Sequence, residues 1–435
     1  MIDIKFVRTN PEVVKASQVA RQEDPNIVDE LLRLDDKKRA VRQEFDELRR
    51  QQGEIGKKIA ALSGDEKVKL LESVAELAKQ VSDAKDAVAK SEEEFDDTML
   101  RIQNVIEGAP SGGEEDFVVL KEVGERNTEK SMGFKPKAHW ELGEALDIID
   151  TKRGSKVGGS RFYFLKGLGA RLDLGLANMA LELAVENGFT PMITPTLVRP
   201  EIMRGTGFIG RHDSEVYRLG GEDDSYLVGT SEVALAGYHQ DEFIEFPEAN
   251  GGLEALRYAG FSACYRREAG AAGKDTRGII RVHQFHKLEM FVYCPEERAD
   301  EEHQRLLKME EQMIRDLELP YRVIDTAAGD LGSSAARKFD CEAWLPSENR
   351  FLELTSTSNC TTFQARRLNI RTKSADGNKT VATLNGTLAT TRWIVAILEN
   401  HQQPDGTVII PEKLRPFVGG VSLIEPPTTK GVNGK

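Results

Sequence analysis

The sequence predicts an α+β protein with an antiparallel coiled-coil arm at its N-terminal end. Two series of heptad-spaced apolar residues lie between residues 27 and 102, separated by a short polar turn. After residue 111, helical and strand patterns alternate, with glycine, proline and aromatic residues among them. The 435 residues are 39% hydrophobic, which is enough for more than one domain. We expect an N-terminal domain over residues 1–110 and a compact domain over residues 111–435.

The first arm helix is predicted to follow the break at Pro25 and Asn26. Apolar residues recur there at alternating steps of four and three, with Lys38 and Gln52 at the two polar steps. The seam consists of Ile27, Leu31, Leu34, Val41, Phe45, Leu48, Ile55, Ile59 and Leu62. This spacing is typical of a coiled coil.

The second arm helix is predicted to follow a turn at SGDEK, residues 63–67. Its seam consists of Val74, Leu77, Val81, Ala84, Val88, Phe95, Met99 and Ile102. Each arm of roughly 35 residues would extend on the order of 50 Å. A lone heptad series would favour a dimerisation coil, but the short turn between two matched helices favours an intrachain hairpin that contacts a large partner.

Charge is distributed unevenly over the two arm helices. The net charge of −13 argues against nonspecific coating of nucleic acid, although a local basic strip can still bind phosphates. The second helix carries EEEFDD at residues 92–97, whereas the first is basic. If the partner is a nucleic acid, the first helix should face it through Lys37, Lys38, Arg39, Arg42, Arg49, Arg50, Lys57 and Lys58.

The composition indicates a cytoplasmic protein without membrane contact. MIDIKFVRTNPEVV at the start lacks a basic segment followed by an apolar run, and no apolar stretch is long enough to cross a bilayer. The cysteines are far apart, with no CxxC pair, at Cys264, Cys294, Cys341 and Cys360. Neither a disulfide framework nor a structural zinc site is indicated.

Residues 261–294 predict a β-hairpin with a polar face. FSACYRRE (261–268) and IIRVHQFHKLEMFVYC (279–294) are the strands, and a glycine-rich loop joins them. Alternation predicts one shared face for Arg281, His283, Phe285, Lys287 and Glu289, and another for Arg266 and Glu268. Such residues could bind phosphate, stack a purine and hold an ammonium group, although an ordinary surface strand would explain either face alone.

Two other kinds of site are disfavoured in this segment. AGAAGKDT resembles a phosphate-binding P-loop, but Glu268 stands where its first glycine is required and Asp275 where serine or threonine is required. His283 and His286 would point to opposite faces of a strand, so a shared metal site is not expected, and we interpret both as structural or hydrogen-bonding residues.

In full, YRREAGAAGKDTRGIIRVHQFHKLE resembles motif 2 of the class II aminoacyl-tRNA synthetases, in the form found in the seryl-tRNA synthetase family. GFTPMITPTLVRP is similar to motif 1, with Pro195 as its proline, and LNGTLATTRWIVAILENHQ to motif 3, with Arg392 as its arginine. VGTSEVAL and FLELTSTSNCTTFQARR also match segments of that family. The resemblance covers nearly the whole chain and implies an antiparallel-sheet catalytic domain with a tRNA-binding arm.

The resemblance implies specific ATP contacts. Arg266 would bind the α-phosphate with Glu268 as its partner, Phe285 and Arg392 would sandwich the adenine, and Arg281 would hold the distal phosphates. The remaining ATP positions would be Arg267, Val282, Glu353, Leu354, Thr355 and Ser356, of which Glu353 and Ser356 would also bind Mg²⁺. Arg266, Arg281, Glu353 and Arg392 are then the catalytic candidates.

The resemblance also implies the substrate and the partners. L-serine would be held by Thr230, Ser231, Glu232, Glu289 and Thr387, and the acceptors would be tRNA(Ser) and also tRNA(Sec). Pro195 would help to shape a homodimer interface. Two alternatives remain open from the sequence: a ligase of the same fold that loads amino acids onto a carrier protein, and a noncatalytic RNA-binding paralogue.

Overall fold

The computed structural model describes residues 1–60, 65–209, 213–221, 224–249, 252–269, 273, 275–375 and 377–427, without the side chains of residues 56, 58–60 and 65–73. The chain divides into two compact units, Met1–Val105 and Ile106–Lys435. The first unit ends at Val105, whereas the sequence predicted a boundary at residue 110. In the described part of the chain, no helix combines the length and apolar character needed to span a membrane.

The first unit is helical, as the heptad spacing predicts. Its helices are α1 (Ile4–Thr9), α2 (Pro11–Ala20), α3 (Asn26–Ala60) and α4 (Asp65–Arg101). The two long helices pack against each other within one chain and bury Leu31, Leu34, Leu77, Val81, Val88, Phe95 and Met99. Of the predicted turn, Asp65 already belongs to α4, and residues 63 and 64 lie outside the described residues, as do Leu62 and the side chain of Ile59.

Polar contacts accompany the apolar seam of the helical hairpin. The ammonium of Lys38, a polar step in the seam, lies 4.0 Å from the centroid of the Phe95 ring, so this charge packs on an aromatic face. Lys37 pairs with Glu94 at 2.6 Å, and Arg42 lies 3.8 Å from Glu92. These contacts show that α3 and α4 run antiparallel, because a residue later in α3 contacts a residue earlier in α4.

The second unit is built on one mixed sheet. In chain order its strands are β1 (Val118–Val123), β2 (Thr190–Ile193), β3 (Leu256–Tyr265), β4 (Gln284–Cys294), β5 (Tyr321–Asp325), β6 (Arg337–Leu345), β7 (Arg350–Asn359) and β8 (Ala382–Thr390). Among the described residues their spatial order is β1-β5-β6-β7-β8-β4-β3-β2. All neighbours pair antiparallel except β3 and β2, which pair parallel. The predicted antiparallel α+β fold is confirmed.

Helices cover this sheet and complete the core. They are α5 (Glu129–Met132), α6 (His139–Ala145), α7 (Thr151–Gly158), α8 (Leu168–Glu186), α9 (Pro200–Thr206), α10 (Glu232–Gly237), α11 (Ala299–Asp316), α12 (Phe363–Arg367) and α13 (Trp393–Asn400). Short strands lie at Ile149–Asp150, Phe164–Leu165, Leu197–Val198, Tyr217–Leu219, Ser225–Leu227, Glu248–Ala249, Gly252–Leu253, Arg371–Ser374, Gly377–Thr380, Val408–Ile409 and Leu423–Ile424. Helices α8 and α11 pack on the central strands, and α13 packs on β6.

The hairpin strands are shorter than the sequence predicts at their loop ends. β3 ends at Tyr265 and β4 begins at Gln284, so Arg266, Glu268, Arg281 and His283 lie outside the strands. Glu268 has a φ of 50°, in the left-handed region, which ends the extended backbone there. The alternation argument is therefore wrong for these four residues, but it holds for Phe285, Lys287 and Glu289 within β4.

Candidate active site

A cavity lies on the sheet where β4, β7 and β8 are neighbours. Strand β4 contributes Phe285 and Lys287 to its wall, and the segment before β4 contributes Val282. The complete lining is Arg266, Glu268, Ile279, Ile280, Val282, Phe285, Lys287, Glu353, Leu354, Ser356, Thr387, Thr390, Thr391 and Arg392. The structure thus brings together residues from all the sequence segments around motifs 2 and 3 that were predicted to bind ATP.

Two β-bulges shape the cavity wall. In the pairing of β6 with β7, Cys341 opposes Thr355 and Glu342 opposes Glu353, which leaves Leu354 without a partner. In the pairing of β4 with β8, the register skips Leu388 in the same way. A bulge shifts the side-chain alternation by one residue. Glu353 and Ser356, and likewise Thr387 and Thr390, therefore line one cavity although each pair is three residues apart.

Cationic and aromatic groups meet inside the cavity. The Arg266 guanidinium lies 5.4 Å from the centroid of the Phe285 ring, and its Nε donates to the carbonyl oxygen of Gly229 at 3.4 Å. Arg392, the residue before α13, donates from Nη1 to the carbonyl oxygen of Glu353 at 2.9 Å. Burial lowers the pKa of Arg392 from its ordinary value, opposed by the nearby Glu353 carboxylate. Both guanidinium groups are held in place with N–H donors left over for a ligand.

Glu353 is the carboxylate of the cavity that could bind a cation. Its burial acts to raise its pKa, but the charges of Lys338, Arg392 and Arg266 prevail and lower the pKa below its ordinary value. An ionised Glu353 carboxylate and the Ser356 hydroxyl line the same cavity and can both offer oxygen ligands. Mg²⁺ commonly binds one or two protein oxygens together with substrate phosphates and water, so these residues fit that ion.

A buried polar cluster adjoins the cavity at Lys287. The Lys287 ammonium lies 2.5 Å from Glu289 Oε2 and donates to Thr230 Oγ1 at 3.0 Å, while Thr387 Oγ1 donates to Glu289 Oε2 at 3.3 Å. All four side chains are buried. Burial raises the pKa of Glu289 from its ordinary value, and the Lys287 charge acts in the opposite direction. The cluster can offer hydrogen bonds to a small polar substrate.

Glu232 extends this cluster from the start of α10. Its Oε1 accepts from Nε2 of Gln364, at 2.8 Å, and Gln364 Oε1 in turn accepts from Thr383 at 2.9 Å. Burial and then the neighbouring carboxylate of Glu289 raise the pKa of Glu232 to about 7. Glu232 therefore changes its charge near neutral pH.

Several predicted site residues lie elsewhere. Arg267 is exposed and outside the cavity lining, and the Thr355 hydroxyl donates to the Thr387 carbonyl oxygen rather than into the cavity. The Ser231 hydroxyl contacts the Gly260 carbonyl oxygen at 3.1 Å and Ser262 Oγ at 2.7 Å. Arg281 lines a neighbouring cavity and pairs with Asp275 at 3.0 Å and Glu268 at 3.6 Å. Their predicted contacts with substrates remain predictions.

Lys287 and Gln364 make polar contacts in the site that sequence reasoning did not assign, and the lining residues Ile279, Ile280, Thr390 and Thr391 were not assigned either. The signal for Lys287 was available, because it stands two residues from both Phe285 and Glu289 on one strand face. Gln364 lies in α12 and reaches Glu232 across 132 positions of sequence, so no local pattern indicates it. The two histidines form separate hydrogen bonds, as expected: His283 with the Arg266 carbonyl oxygen at 2.9 Å and His286 with Asp173 at 2.5 Å.

Two family models match the chain. Residues 1–106 match the family model described as the seryl-tRNA synthetase N-terminal domain, and residues 217–401 match the tRNA synthetase class II core domain (G, H, P, S and T). The chain is 58% identical to the serine–tRNA ligase of Bifidobacterium animalis subsp. lactis over 98% of this chain and 99% of that relative. The same identity is found with the serine–tRNA ligase of Corynebacterium efficiens over 98% and 100% of the two chains.

Solved structures give the same result. A seryl-tRNA synthetase from Pyrococcus horikoshii complexed with ATP matches with a TM-score of 0.89 and 38% identity, over 98% of this chain and 100% of that one. The cytoplasmic serine–tRNA ligase from Naegleria fowleri in complex with AMP matches with a TM-score of 0.84 and 33% identity, over 96% of each chain. The similarity therefore extends over both compact units.

Proposed function

Because the chain belongs to the seryl-tRNA synthetase family, we propose that its cavity binds ATP and that the adjoining polar cluster binds L-serine. The chain is a serine–tRNA ligase with a class II core, which uses ATP to activate serine and transfers the seryl group to tRNA. The site proposal rests on one observation: Lys287 lines the cavity and also contacts Glu289 and Thr230 of the polar cluster. Neither a carrier-protein ligase nor a noncatalytic paralogue is favoured by 58% identity to serine–tRNA ligases over nearly the whole chain.

In the proposed first step, a serine carboxylate oxygen attacks the α-phosphorus of ATP. A new oxygen–phosphorus bond forms, the bond from the α-phosphorus to the bridging oxygen breaks, and pyrophosphate leaves. The attacking carboxylate is already ionised at neutral pH, so this step needs no general base. Positioning and charge stabilisation then account for the catalysis, and Arg266 lies in the cavity where it can stabilise charge on the α-phosphate.

The adenine is proposed to lie between Phe285 and Arg392, which both line the cavity. A phenyl ring and a guanidinium plane can both stack on a purine. Glu353 and Ser356 would hold Mg²⁺, which when bound supplies positive charge to the phosphates. Arg281, which pairs with Asp275 at 3.0 Å, is proposed to contact the distal phosphates in exchange for this pair.

Replacing Glu289 with alanine is expected to remove most of the preference for serine over alanine. A buried site that hydrogen-bonds a substrate hydroxyl rejects the analogue without it by about 10⁴-fold or more, because its polar groups are left unpaired. Glu289 is 1% exposed, and its Oε2 already accepts from Thr387 and Lys287, so its other lone pairs can meet the serine hydroxyl. The measurement is amino-acid-dependent ATP–pyrophosphate exchange against all twenty amino acids, without tRNA.

The control for this measurement is Glu301→Ala. Glu301 is an exposed helix carboxylate that pairs with Arg298, so its loss should leave the preference unchanged. If Glu289→Ala kept the serine-over-alanine ratio of the parent enzyme, the assignment of the polar cluster to serine would be wrong. If the parent enzyme exchanged with another amino acid, the site would be retained and the proposed substrate rejected.

The KM for serine is expected to rise as the pH falls below about 7, the pKa of Glu232. The serine ammonium favours an ionised Glu232, and protonation of this acid below its pKa removes that attraction. If only the ionised form binds serine, each pH unit below the pKa raises KM by about tenfold. Steady-state pyrophosphate exchange at varied serine concentration between pH 5.5 and 8 would measure this, and in Glu232→Gln the inflection near pH 7 should disappear. An unchanged inflection in that variant would assign the titration to another group.

We also propose a cytoplasmic homodimer that acylates tRNA(Ser) and tRNA(Sec) and has no membrane contact. Exposed apolar side chains support the dimer: Ile193, in the motif 1 segment that contains Pro195, is 90% exposed, and Leu174 of α8, which lines the same surface pocket, is 54% exposed. Neighbouring exposed apolar side chains are a common mark of a protein–protein contact. Sedimentation equilibrium of the full chain tests the dimer, and a monomer at micromolar concentration would contradict it. Aminoacylation with purified tRNA transcripts tests the two acceptors.

A further inference from the structure

His139 links two segments of the second unit that lie far apart in sequence. It is the first residue of α6, and its side chain is fully buried. On one side its Nδ1 lies 3.2 Å from Oε1 of Glu399 in α13, which also accepts from the His139 backbone N–H at 3.0 Å. On the other side its Nε2 accepts from the backbone N–H of Ile279 at 3.2 Å. The imidazole therefore connects α13 to the segment that precedes β4.

The partners determine the tautomer of this imidazole. A carboxylate oxygen can only accept, so the proton must be on Nδ1, and the backbone N–H can only donate, so Nε2 must carry a lone pair. Glu399 is itself held, because its Oε2 accepts from the Ser347 hydroxyl at 2.7 Å and from the Ser347 N–H at 3.3 Å. Buried on both sides, the imidazole has one orientation and one tautomer that satisfy both neighbours.

Gly278 makes the close approach of the loop to His139 possible. A Cβ atom built at this position would lie 1.9 Å from His139 Nε2, and the φ of 73° is in the left-handed region. Both facts favour glycine, since it has no side chain to clash and adopts positive φ without strain. The adjacent pair reinforces the contact, because the Arg277 guanidinium lies 5.0 Å from the centroid of the Trp140 ring.

The residues attached to this contact form part of the cavity wall. Ile279, Ile280 and Val282 line the proposed ATP site, and so does Arg392, the residue before α13. Glu399 lies near the far end of the same helix. The position of residues 279–282 relative to Arg392 thus depends on the contacts that run from α13 through Glu399 and His139 to Ile279.

We propose that His139 is a positioning residue for the nucleotide, which holds the Ile279–Val282 wall at the correct distance from Arg392 through the neutral Nδ1–H imidazole. It does not contact the reacting atoms. The proposal rests on the assignment of the cavity to ATP. Loss of the Nε2 acceptor would leave the Ile279 N–H buried without a partner, and this segment would move to satisfy it.

The test compares two variants in the full chain. In His139→Asn the amide nitrogen can reach the place of Nδ1 and keep a donor toward Glu399, but nothing reaches the place of Nε2. In His139→Gln the longer side chain can bring an acceptor close to that place. We expect KM for ATP in pyrophosphate exchange to rise by about tenfold in His139→Asn. KM for serine and kcat should stay within about twofold, and His139→Gln should recover most of the affinity for ATP.

Ser347→Ala is the matched control. It removes the Ser347 hydroxyl bond to Glu399 but keeps the Ser347 backbone N–H bond to the same oxygen and both bonds of His139, so KM for ATP should stay close to that of the parent. An equal rise of KM for ATP in Ser347→Ala and His139→Asn would mean that the contacts act only through general stability, and the proposal would be overturned. A KM for ATP in His139→Asn that equals the parent value would also overturn it.

Hydrogen exchange of the parent enzyme gives a readout that does not depend on the folding of a variant. The Ile279 amide should exchange as slowly as amides inside β4, and ATP should slow the exchange of residues 279–282 further. Exchange of Ile279 as fast as in exposed loops would overturn the proposal about His139. If Ile279 were protected but ATP did not slow the exchange of residues 279–282 in the parent enzyme, the assignment of the cavity to ATP would fail instead. The KM values of the His139 variants would then decide whether His139 acts on nucleotide binding.

Discussion

Arg266→Ala is expected to reduce serine-dependent ATP–pyrophosphate exchange by about a thousandfold or more without unfolding the protein. Charge develops on the α-phosphate as the serine carboxylate attacks, and a fixed guanidinium at this place is worth about 10²–10⁵ in rate. Arg266 meets this requirement because Phe285 and the Gly229 carbonyl oxygen hold it in the cavity. The side chain is only partly buried and forms no internal ion pair in the described part of the chain, so its removal should cost little stability.

Two further variants sharpen this prediction. Arg266→Lys keeps the charge but loses the planar, bidentate geometry, so its activity should fall between those of the parent and the alanine variant. Arg298→Ala removes an arginine that pairs with Glu301 and does not line the cavity, so its exchange activity should equal that of the parent. Thermal denaturation should give similar midpoints for all of them. Near-normal exchange in Arg266→Ala would reject the role of this residue.

Removal of the distal helical hairpin is expected to abolish tRNA charging and to leave adenylate formation intact. Recognition of folded RNA by shape depends on phosphate and ribose contacts made by an extended element, whereas pyrophosphate exchange needs neither. Aminoacylation should fall by about a hundredfold or more at physiological salt, since several phosphate contacts would be lost together. Exchange should remain within about twofold of the parent.

The structure indicates where to cut the hairpin. Deletion of residues 30–100 would remove Leu31 and Leu34, which are buried, and Asp35, whose carboxylate binds Arg8 at 2.6 and 2.7 Å. A deletion of residues 40–90, closed by a short glycine linker, keeps these contacts. It also keeps the pair of Lys37 with Glu94 and the packing of Lys38 on Phe95. Simultaneous loss of exchange and charging in this variant would show that the hairpin is a structural element.

The ion pairs of α3 refine the expectation that its basic face meets the tRNA. Lys37 is paired with Glu94, and Arg50 with both Glu47 at 2.7 Å and Glu54 at 2.5 Å. Exposed pairs of this kind are weak, so phosphate groups can compete for the cations. The proposed contact of α3 with tRNA should accordingly weaken steeply as salt rises, because the arm offers several cations rather than one strong site.

The arm and the order of the motifs could be read directly from the sequence. Heptad spacing depends on residues within a few turns of each other, so Leu31, Leu34, Leu77 and Val81 indicated the buried seam without any tertiary information. The alternation of Phe285, Lys287 and Glu289 within β4 is equally local, and it indicated one face of the cavity. The family resemblance added Glu353, Thr387 and Arg392 from distant segments.

The tertiary structure decided the geometry that joins these segments. Strand alternation would separate Glu353 from Ser356 and Thr387 from Thr390, but bulges at Leu354 and Leu388 bring each pair into the same cavity. The sequence did not show that β3 ends before Arg266 or that β4 begins after His283. It also did not show which residues outside the cavity lining support the site through hydrogen bonds.

The sequence by itself therefore determined the α+β class, the helical hairpin and the residue types of the candidate active site. Only the tertiary structure decided the β-bulges, the contact of Gln364 with Glu232 and the bridge from Glu399 through His139 to Ile279. The reason is physical: helix and strand periodicity arise from neighbouring residues, whereas a bulge depends on the register of the adjacent strand, and the buried bond of His139 depends on a partner 260 residues away.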